Sequence, residues 1–113
     1  MSEDAAFFIT PAEFRAWLDK HHATATELWL GYYKKAAARP TITYAEAVEE
    51  ALCFGWIDGK TQRIDELRYR QRFTPRRKGS NWSAANVAKI AELQAQGRMT
   101  PAGEAAFAAR REA

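Results

Sequence analysis

Apolar residues recur along the chain at two spacings, and these spacings assign most of it to helices or strands. Phe14, Trp17 and Leu18 follow the i, i+3, i+4 spacing that places side chains on one face of a helix. This predicts a helix from residue 11 to about residue 22. Residues 27–35 are rich in aromatic and aliphatic side chains over the length of a strand. The residues expected on one face of that strand are Leu28, Leu30 and Tyr32.

Two capping boxes indicate where helices begin. Thr10 with Glu13 starts the first helix, with proline at its first position, and Thr43 with Glu46 starts a second. The second helix is expected to end at Cys53 and Phe54, because Gly55 is a suitable left-handed terminator. Its predicted apolar stripe is Tyr44, Val48, Ala51 and Leu52.

Residues 56 to about 63 and 67 to about 74 have the pattern of a β-hairpin that turns near Asp65 and Glu66. Alternate side chains of a strand point to opposite faces. One face of the second strand should carry Leu67, Tyr69, Gln71 and Phe73. The other should carry Arg68, Arg70 and Arg72.

The last third of the chain predicts a loop and two helices. Residues 75–80 form a basic loop, and a helix is expected over residues 83–96 with Gly97 as its terminator. Thr100 and Pro101 start a short final helix that holds Phe107. The order helix, strand, helix, strand, strand, helix, helix predicts an α+β fold, with a small antiparallel sheet of about three strands and about four helices packed against it. The 113 residues suit one domain, residues 1–113.

Positive charge is concentrated in one segment. Residues 60–78 contain eight Lys or Arg but only two acidic residues, whereas the rest of the chain has a net charge of −3. A local basic surface interleaved with Tyr69, Phe73 and Trp82 is typical of a surface that meets an anion. The expected partners are an anionic small molecule or an acidic protein surface.

Composition argues against several other classes of protein. One cysteine excludes an internal disulfide framework, and His21 and His22 have no second cluster with which to complete a zinc site. The first residues are acidic where a secretory signal would be basic, and no window reaches the roughly 20 apolar residues of a membrane helix. We therefore expect a cytoplasmic protein without a metal, a cofactor or a membrane span.

The basic loop before residue 83 has the chemistry of an anion cradle. Unpaired N–H groups at a helix N-terminus carry partial positive charge, and Gly79 lets the backbone approach an anion closely. Arg76, Arg77, Ser80 and Ser83 would add side-chain donors. The loop lacks the spacing of a P-loop and of a dinucleotide-binding turn. Solvation of a surface loop is the simpler alternative.

The adjoining hairpin supplies further candidates. Asp58 needs a partner if it is buried, and a hairpin arginine could provide one, either as a structural pair or as part of a pocket. The row of arginines on one strand face is equally compatible with a solvated sheet surface. The expected ligand-binding residues are Trp56, Asp58, Arg70, Arg72, Arg76, Arg77, Ser80, Trp82 and Ser83.

The nucleophile and acid–base candidates have simpler structural explanations. Cys53 lies at a predicted helix C-terminus, where the helix dipole disfavours a thiolate, so we expect an inert core residue. His21 and His22 lie at the end of the first helix, where a cation is favoured by the dipole. No catalytic residue is assigned.

Several motifs, in order along nearly the whole chain, resemble the YdeI/OmpD-associated family, also called bacteriocin-protection proteins. They are ELWLGYYKK at residues 27–35, EAVEEALCFGWIDG at 46–59, RFTPR at 72–76, SNWS at 80–83 and GRMTPAG at 97–103. The resemblance implies a role in stress resistance or bacteriocin protection through a protein partner.

The sequence thus favours a non-catalytic protein that binds an anionic ligand or partner at a basic and aromatic face. One alternative is nonspecific nucleic-acid binding, which would be weak and salt-dependent because the total charge is only +3. Another is a small enzyme that uses Asp58 with an arginine, although no complete catalytic constellation is visible.

Overall fold

The computed structural model describes residues 5–77 and 79–110. Strands and helices alternate along the first half of the chain, and the second half ends in two helices. In chain order the elements are β1 (Ala6–Phe7), α1 (Pro11–His21), β2 (Leu28–Tyr33), a short 3₁₀ helix (Lys35–Ala37), α2 (Tyr44–Cys53), β3 (Trp56–Arg63), β4 (Arg68–Pro75), α3 (Ala84–Ala95) and α4 (Pro101–Ala108).

The strands form one mixed sheet in the order β1-β2-β4-β3. The β4 strand pairs antiparallel with both β2 and β3, while β1 pairs parallel with β2. The α+β class is confirmed; the described residues form a sheet of four strands, close to the predicted three or so, and it is mixed rather than purely antiparallel. The extra strand has only two residues, too few for a period-two pattern. It lies parallel because α1 carries the chain across between β1 and β2.

The four α-helices begin where their capping residues predict. The side chains of Thr10, Thr43, Ser83 and Thr100 each accept a hydrogen bond from a backbone N–H in the first turn. At Thr43 the box is reciprocal, since Glu46 Oε1 accepts from the Thr43 N–H at 3.0 Å. The end of α2 is fixed by Gly55, whose φ of 78° lies in the left-handed region.

Helices α1 and α2 pack on one face of the sheet, and this face forms the core. Phe14 of α1 meets Phe73 of β4 edge to face, with ring centroids 5.4 Å apart. The polar exception is Gln71, which is buried but accepts from the Tyr32 hydroxyl at 2.8 Å and donates to the Gly59 carbonyl at 3.2 Å. The predicted alternation in β2 and β4 is therefore correct.

Two residues expected in the core are exposed instead. Leu67 precedes the first residue of β4 and is 44% exposed, because it lies in the hairpin turn. Tyr44 is the first residue of α2 and is 53% exposed, and its hydroxyl bonds a side chain of β3 instead of entering the core.

The opposite face of the sheet has a different character. Along β2, β3 and β4, none of the described side chains on this face is buried. We call it the open face; its described members are Phe7, Trp29, Tyr33, Ile57, Gln62, Arg68, Arg70, Arg72 and Thr74. The core and the helices that cover it therefore leave one side of the sheet accessible.

Candidate functional site

The basic loop leaves the end of β4 and is tied down at several points. The Arg76 N–H donates to the Gly55 carbonyl at 3.0 Å, which joins the loop to the start of β3. A turn follows in which the Ser80 N–H donates to the Arg77 carbonyl at 3.1 Å, with Gly79 at φ 77°. The Gly79 N–H reaches the Ala109 carbonyl at 2.9 Å. Lys78, which the sequence places in this loop, lies outside the described residues.

Arg76 and Trp82 stack against each other across the loop. The Arg76 Cζ atom lies 3.8 Å from the centroid of the Trp82 ring. Trp82 also packs edge to face on Phe107 of α4, with centroids 5.4 Å apart, and is half-buried against the core. The indole therefore both anchors the end of the chain and holds the Arg76 guanidinium in place.

The loop contains buried polar atoms that no described residue satisfies. They are Arg76 Nε and Nη2, Ser80 Oγ and Trp82 Nε1. Burial lowers the pKa of Arg76, and the negative charge of Asp58 opposes that shift in part. The three nitrogen atoms can only donate hydrogen bonds, and the hydroxyl can donate as well as accept. The chemical complement of this set is a group of acceptor oxygens.

An open groove with a volume of about 420 Å³ adjoins Arg76. Its lining includes the side chains of Arg72, Arg77, Thr26 and Thr74. Arg77 is exposed, whereas Arg72 Nε donates to Glu27 Oε1 at 2.6 Å. That ion pair is about half-exposed on both sides, so its net contribution is small and an anion can compete for Arg72. We call the loop donors and this groove together the loop site.

Two residues predicted to bind ligand have other roles. Trp56 is 1% exposed and packs on Trp17 with centroids 5.7 Å apart, so we remove it from the candidate site. Its side chain points into the core, where it meets α1 through Trp17. Ser83 is the N-cap of α3, and its hydroxyl accepts from the Asn86 N–H at 3.1 Å. That bond uses one lone pair of the Ser83 oxygen and makes the residue a helix cap, while its O–H can still donate.

Asp58 has a partner, but it is not an arginine. Its Oδ2 atom accepts from the Tyr44 hydroxyl at 2.9 Å, which links β3 to the start of α2. Burial and this hydrogen bond raise the pKa of Tyr44. Asp58 faces the helix side of the sheet, opposite Phe73, and acts on the loop site only through its charge on Arg76. Among the described residues, Asp58 therefore has a structural hydrogen bond to Tyr44 and no arginine as a hydrogen-bond partner.

Arg70 lies on the open face, away from the loop. Its Nη2 atom donates to Gln62 Oε1 at 2.6 Å, and its Cζ lies 4.0 Å from the centroid of the Trp29 ring. Sequence reasoning did not assign a site role to Trp29, although its place in β2, out of phase with Leu28 and Leu30, would have put it on the arginine side of the sheet.

Cys53 and the two histidines have the environments of structural groups. Burial raises the pKa of the Cys53 thiol, and a hydrogen bond with Arg15 opposes that shift. His22 Nδ1 lies 2.8 Å from the Leu18 carbonyl, and the His21 ring packs on Trp17. Among residues 5–77 and 79–110, no three His, Cys, Asp or Glu side chains are grouped as they would be to hold a metal ion.

The chain belongs to a family defined as a domain of unknown function (DUF8412), whose model matches residues 6–106. The match spans every strand and nearly all of α4, and it includes the loop site. No curated protein and no solved structure shows a significant similarity to the chain. Within the part of the chain that the structure describes, no helix has the length and apolar character needed to cross a bilayer.

Proposed function

We propose that the protein binds an anionic ligand at the loop site through phosphate or carboxylate oxygens, without catalysing a reaction on it. The observation that carries this proposal is the set of buried, unsatisfied donors on Arg76, Ser80 and Trp82. A buried polar group without a partner costs about 1–3 kcal/mol. An oxyanion that accepts from several of these groups offsets that cost when it binds.

The arrangement suits an oxyanion better than a neutral ligand. A guanidinium can donate two parallel hydrogen bonds to one carboxylate or phosphate, and such charge-assisted bonds are stronger than neutral ones. Stacking on Trp82 fixes the plane of the Arg76 guanidinium before binding, which reduces the entropy lost on binding. Arg72 and Arg77 extend the positive potential into the adjoining groove.

The groove offers charge and donors rather than an acid–base pair. The charged side chains in its lining are the three arginines Arg72, Arg76 and Arg77, whose guanidinium groups donate hydrogen bonds and accept none. An acidic segment of a partner protein would use the same donors. That is the form which the predicted bacteriocin-protection role would take.

A thermal-shift series tests the proposal. Inorganic phosphate, nucleotides, sugar phosphates and an acidic peptide are each added to the wild-type protein and to the Arg76→Ala and Arg77→Ala variants. A ligand at about one hundred times its dissociation constant stabilises the native state by about 2.7 kcal/mol. We expect at least one of these anions to raise the melting temperature of the wild type.

Arg76→Ala should weaken that binding by about 1–3 kcal/mol, the range for a hydrogen bond to a charged group. The matched control is Arg63→Ala, which removes the same charge from the exposed far end of β3. Equal shifts in wild type, Arg76→Ala and Arg77→Ala would show that the loop is merely solvated. A shift by the acidic peptide alone would identify the ligand as a protein segment.

A further inference from the structure

The open face combines aromatic rings with a line of arginines. Gly31 of β2 lies between Trp29 and Tyr33, and the Phe7 ring of β1 covers the space that a larger residue at Gly31 would need. The Phe7 and Tyr33 rings are in contact, with centroids 5.0 Å apart. An aromatic surface therefore runs along β1 and β2 beside the arginines of β4.

Arginines lie over each of these rings. Arg70 is 4.0 Å from the Trp29 centroid, and Arg68 is 5.8 Å from the Phe7 centroid. Arg39, which reaches in from the loop after the 3₁₀ helix, is 4.6 Å from the Tyr33 centroid. Planar cations on planar rings give the face two properties at once, positive charge and surfaces for stacking.

We propose that the open face binds single-stranded nucleic acid, with bases stacked on its aromatic and guanidinium planes and phosphates held by its arginines. Proteins that bind single strands without sequence preference combine these same two components, a basic track for the backbone and aromatic platforms for the bases. A single strand fits better than a duplex because only unpaired bases present their faces to a flat surface.

The arginines of the open face lie in a row along β4, which a nucleic-acid backbone could follow. Alternate residues of a strand are about 6.8 Å apart on one face, so Arg68, Arg70 and Arg72 form an evenly spaced row. The row ends at Arg72, which also lines the groove beside Arg76 and Arg77. A bound strand that follows β4 from Arg68 would therefore reach the basic loop at Arg72, where it would compete with Glu27 for the guanidinium.

The aromatic rings of the open face, rather than its charge, distinguish a nucleic-acid occupant from an acidic protein. The segment that contains β4 and the loop carries a net charge of +6 within residues 60–78. An acidic protein would use the arginines, but it would not depend on Trp29. The role of Trp29 in binding is therefore the property that separates the two occupants.

The test is fluorescence anisotropy with labelled oligothymidylate and oligouridylate of about 12 nucleotides, which lies within the size range of single-strand sites. A hairpin duplex, heparin and polyglutamate serve as competitors. Both single strands should bind at low salt, and the duplex should compete poorly. Contacts to three phosphates give a log–log salt slope of about −2 on a single strand.

Trp29→Thr should weaken binding of the single strands about tenfold or more, the effect expected for losing one stacked base. Arg70→Ala should weaken binding and make the salt slope shallower by about 0.7. The control Arg63→Ala, on the same hairpin but paired with Tyr69 on the helix side, should change neither. Quenching of tryptophan fluorescence in wild type, reduced in Trp29→Thr, gives a second readout, and thermal melts verify that each variant is folded.

Three results would overturn the proposal. The first is an absence of binding at low salt, and the second is unchanged affinity in folded Trp29→Thr. The third is competition by heparin or polyglutamate as effective as that by unlabelled single strand. This would mean that the face binds any polyanion through charge alone. The proposal does not rest on the loop site, since Arg76→Ala should weaken phosphate binding at the loop while Trp29→Thr leaves it unchanged.

Discussion

Arg76 differs from its neighbours in the basic segment by its burial and by what it contacts. The Arg72 side chain pairs with a carboxylate, whereas Arg76 stacks on an indole and keeps two buried nitrogen atoms without a described partner. An unpaired buried charge destabilises the folded state. Arg76→Ala should therefore leave the free energy of unfolding nearly unchanged or slightly higher, although it removes a large side chain.

Cys53 illustrates a residue whose surroundings remove its reactivity. The thiolate is the reactive form, and burial raises the pKa of this thiol. We predict that native protein reacts with iodoacetamide much more slowly at neutral pH than a free thiol does. Protein unfolded in guanidinium chloride is the control and should react at the ordinary rate. Modification of the folded protein at the rate of a free thiol would contradict this prediction.

At the scale of elements, a charged cluster joins parts of the chain that are distant in sequence. Glu50 of α2 is 5% exposed and pairs with Arg15 of α1 at 3.1 Å and with Arg98 at 2.8 Å. Arg98 belongs to the segment between α3 and α4, and its carbonyl accepts from Arg15 Nη2 at 2.8 Å. The Glu50 carboxylate therefore links α2 both to α1 and to the segment between α3 and α4.

Glu50→Ala should lower the free energy of unfolding by about 3 kcal/mol, the low end of the range for breaking a buried ion pair. The low end applies because Arg15 and Arg98 are each about one third exposed. Urea denaturation measures the change. Glu27→Ala, which breaks the exposed pair with Arg72, is the control and should cost less than about 1 kcal/mol. Equal effects of the two substitutions would show that the buried Glu50 cluster contributes no more stability than the exposed Glu27–Arg72 pair.

Sequence patterns within a few residues predicted most helices and strands, whereas contacts between distant elements could not be predicted. Thr10 and Thr43 marked helix starts correctly because a cap is formed by residues a few positions apart. The hairpin was predicted to within a residue or two for the same reason. The β1 strand was missed because two residues carry no periodic signal. The partner of Asp58 was wrong because Tyr44 reaches it only when α2 docks on β3.

The candidate site was predictable only where its residues are close together in the sequence. Arg76, Ser80 and Trp82 could be grouped from sequence because they share one loop. The sequence could not exclude Trp56 from this group. Whether its ring faces a ligand or the core depends on how the helices pack on β3, which local sequence does not specify. The aromatic side of the open face depends on β2 pairing with β4, a contact between strands about 40 residues apart in the chain.

The whole molecule has two chemically different sides. Helices cover one face of the sheet, and on this side the α2 carboxylates of Glu49 and Glu50 are paired with Arg15, Lys89 and Arg98. Arginines and aromatic rings occupy the other face and continue into the basic loop. If this basic side binds an anion, as we propose, association should weaken as the salt concentration rises. The loop site and the open face are neighbouring parts of this one basic side.

The most direct test of anion binding at the loop site uses the indole N–H signals of the four tryptophans in a ¹H–¹⁵N correlation spectrum. Inorganic phosphate is titrated into wild type and Arg76→Ala. We predict that the Trp82 signal of wild type shifts and saturates while that of the core residue Trp56 stays in place, and that Arg76→Ala largely removes the shift. A Trp82 signal that does not move, or that moves only in step with the signals of the other three tryptophans, would contradict the account.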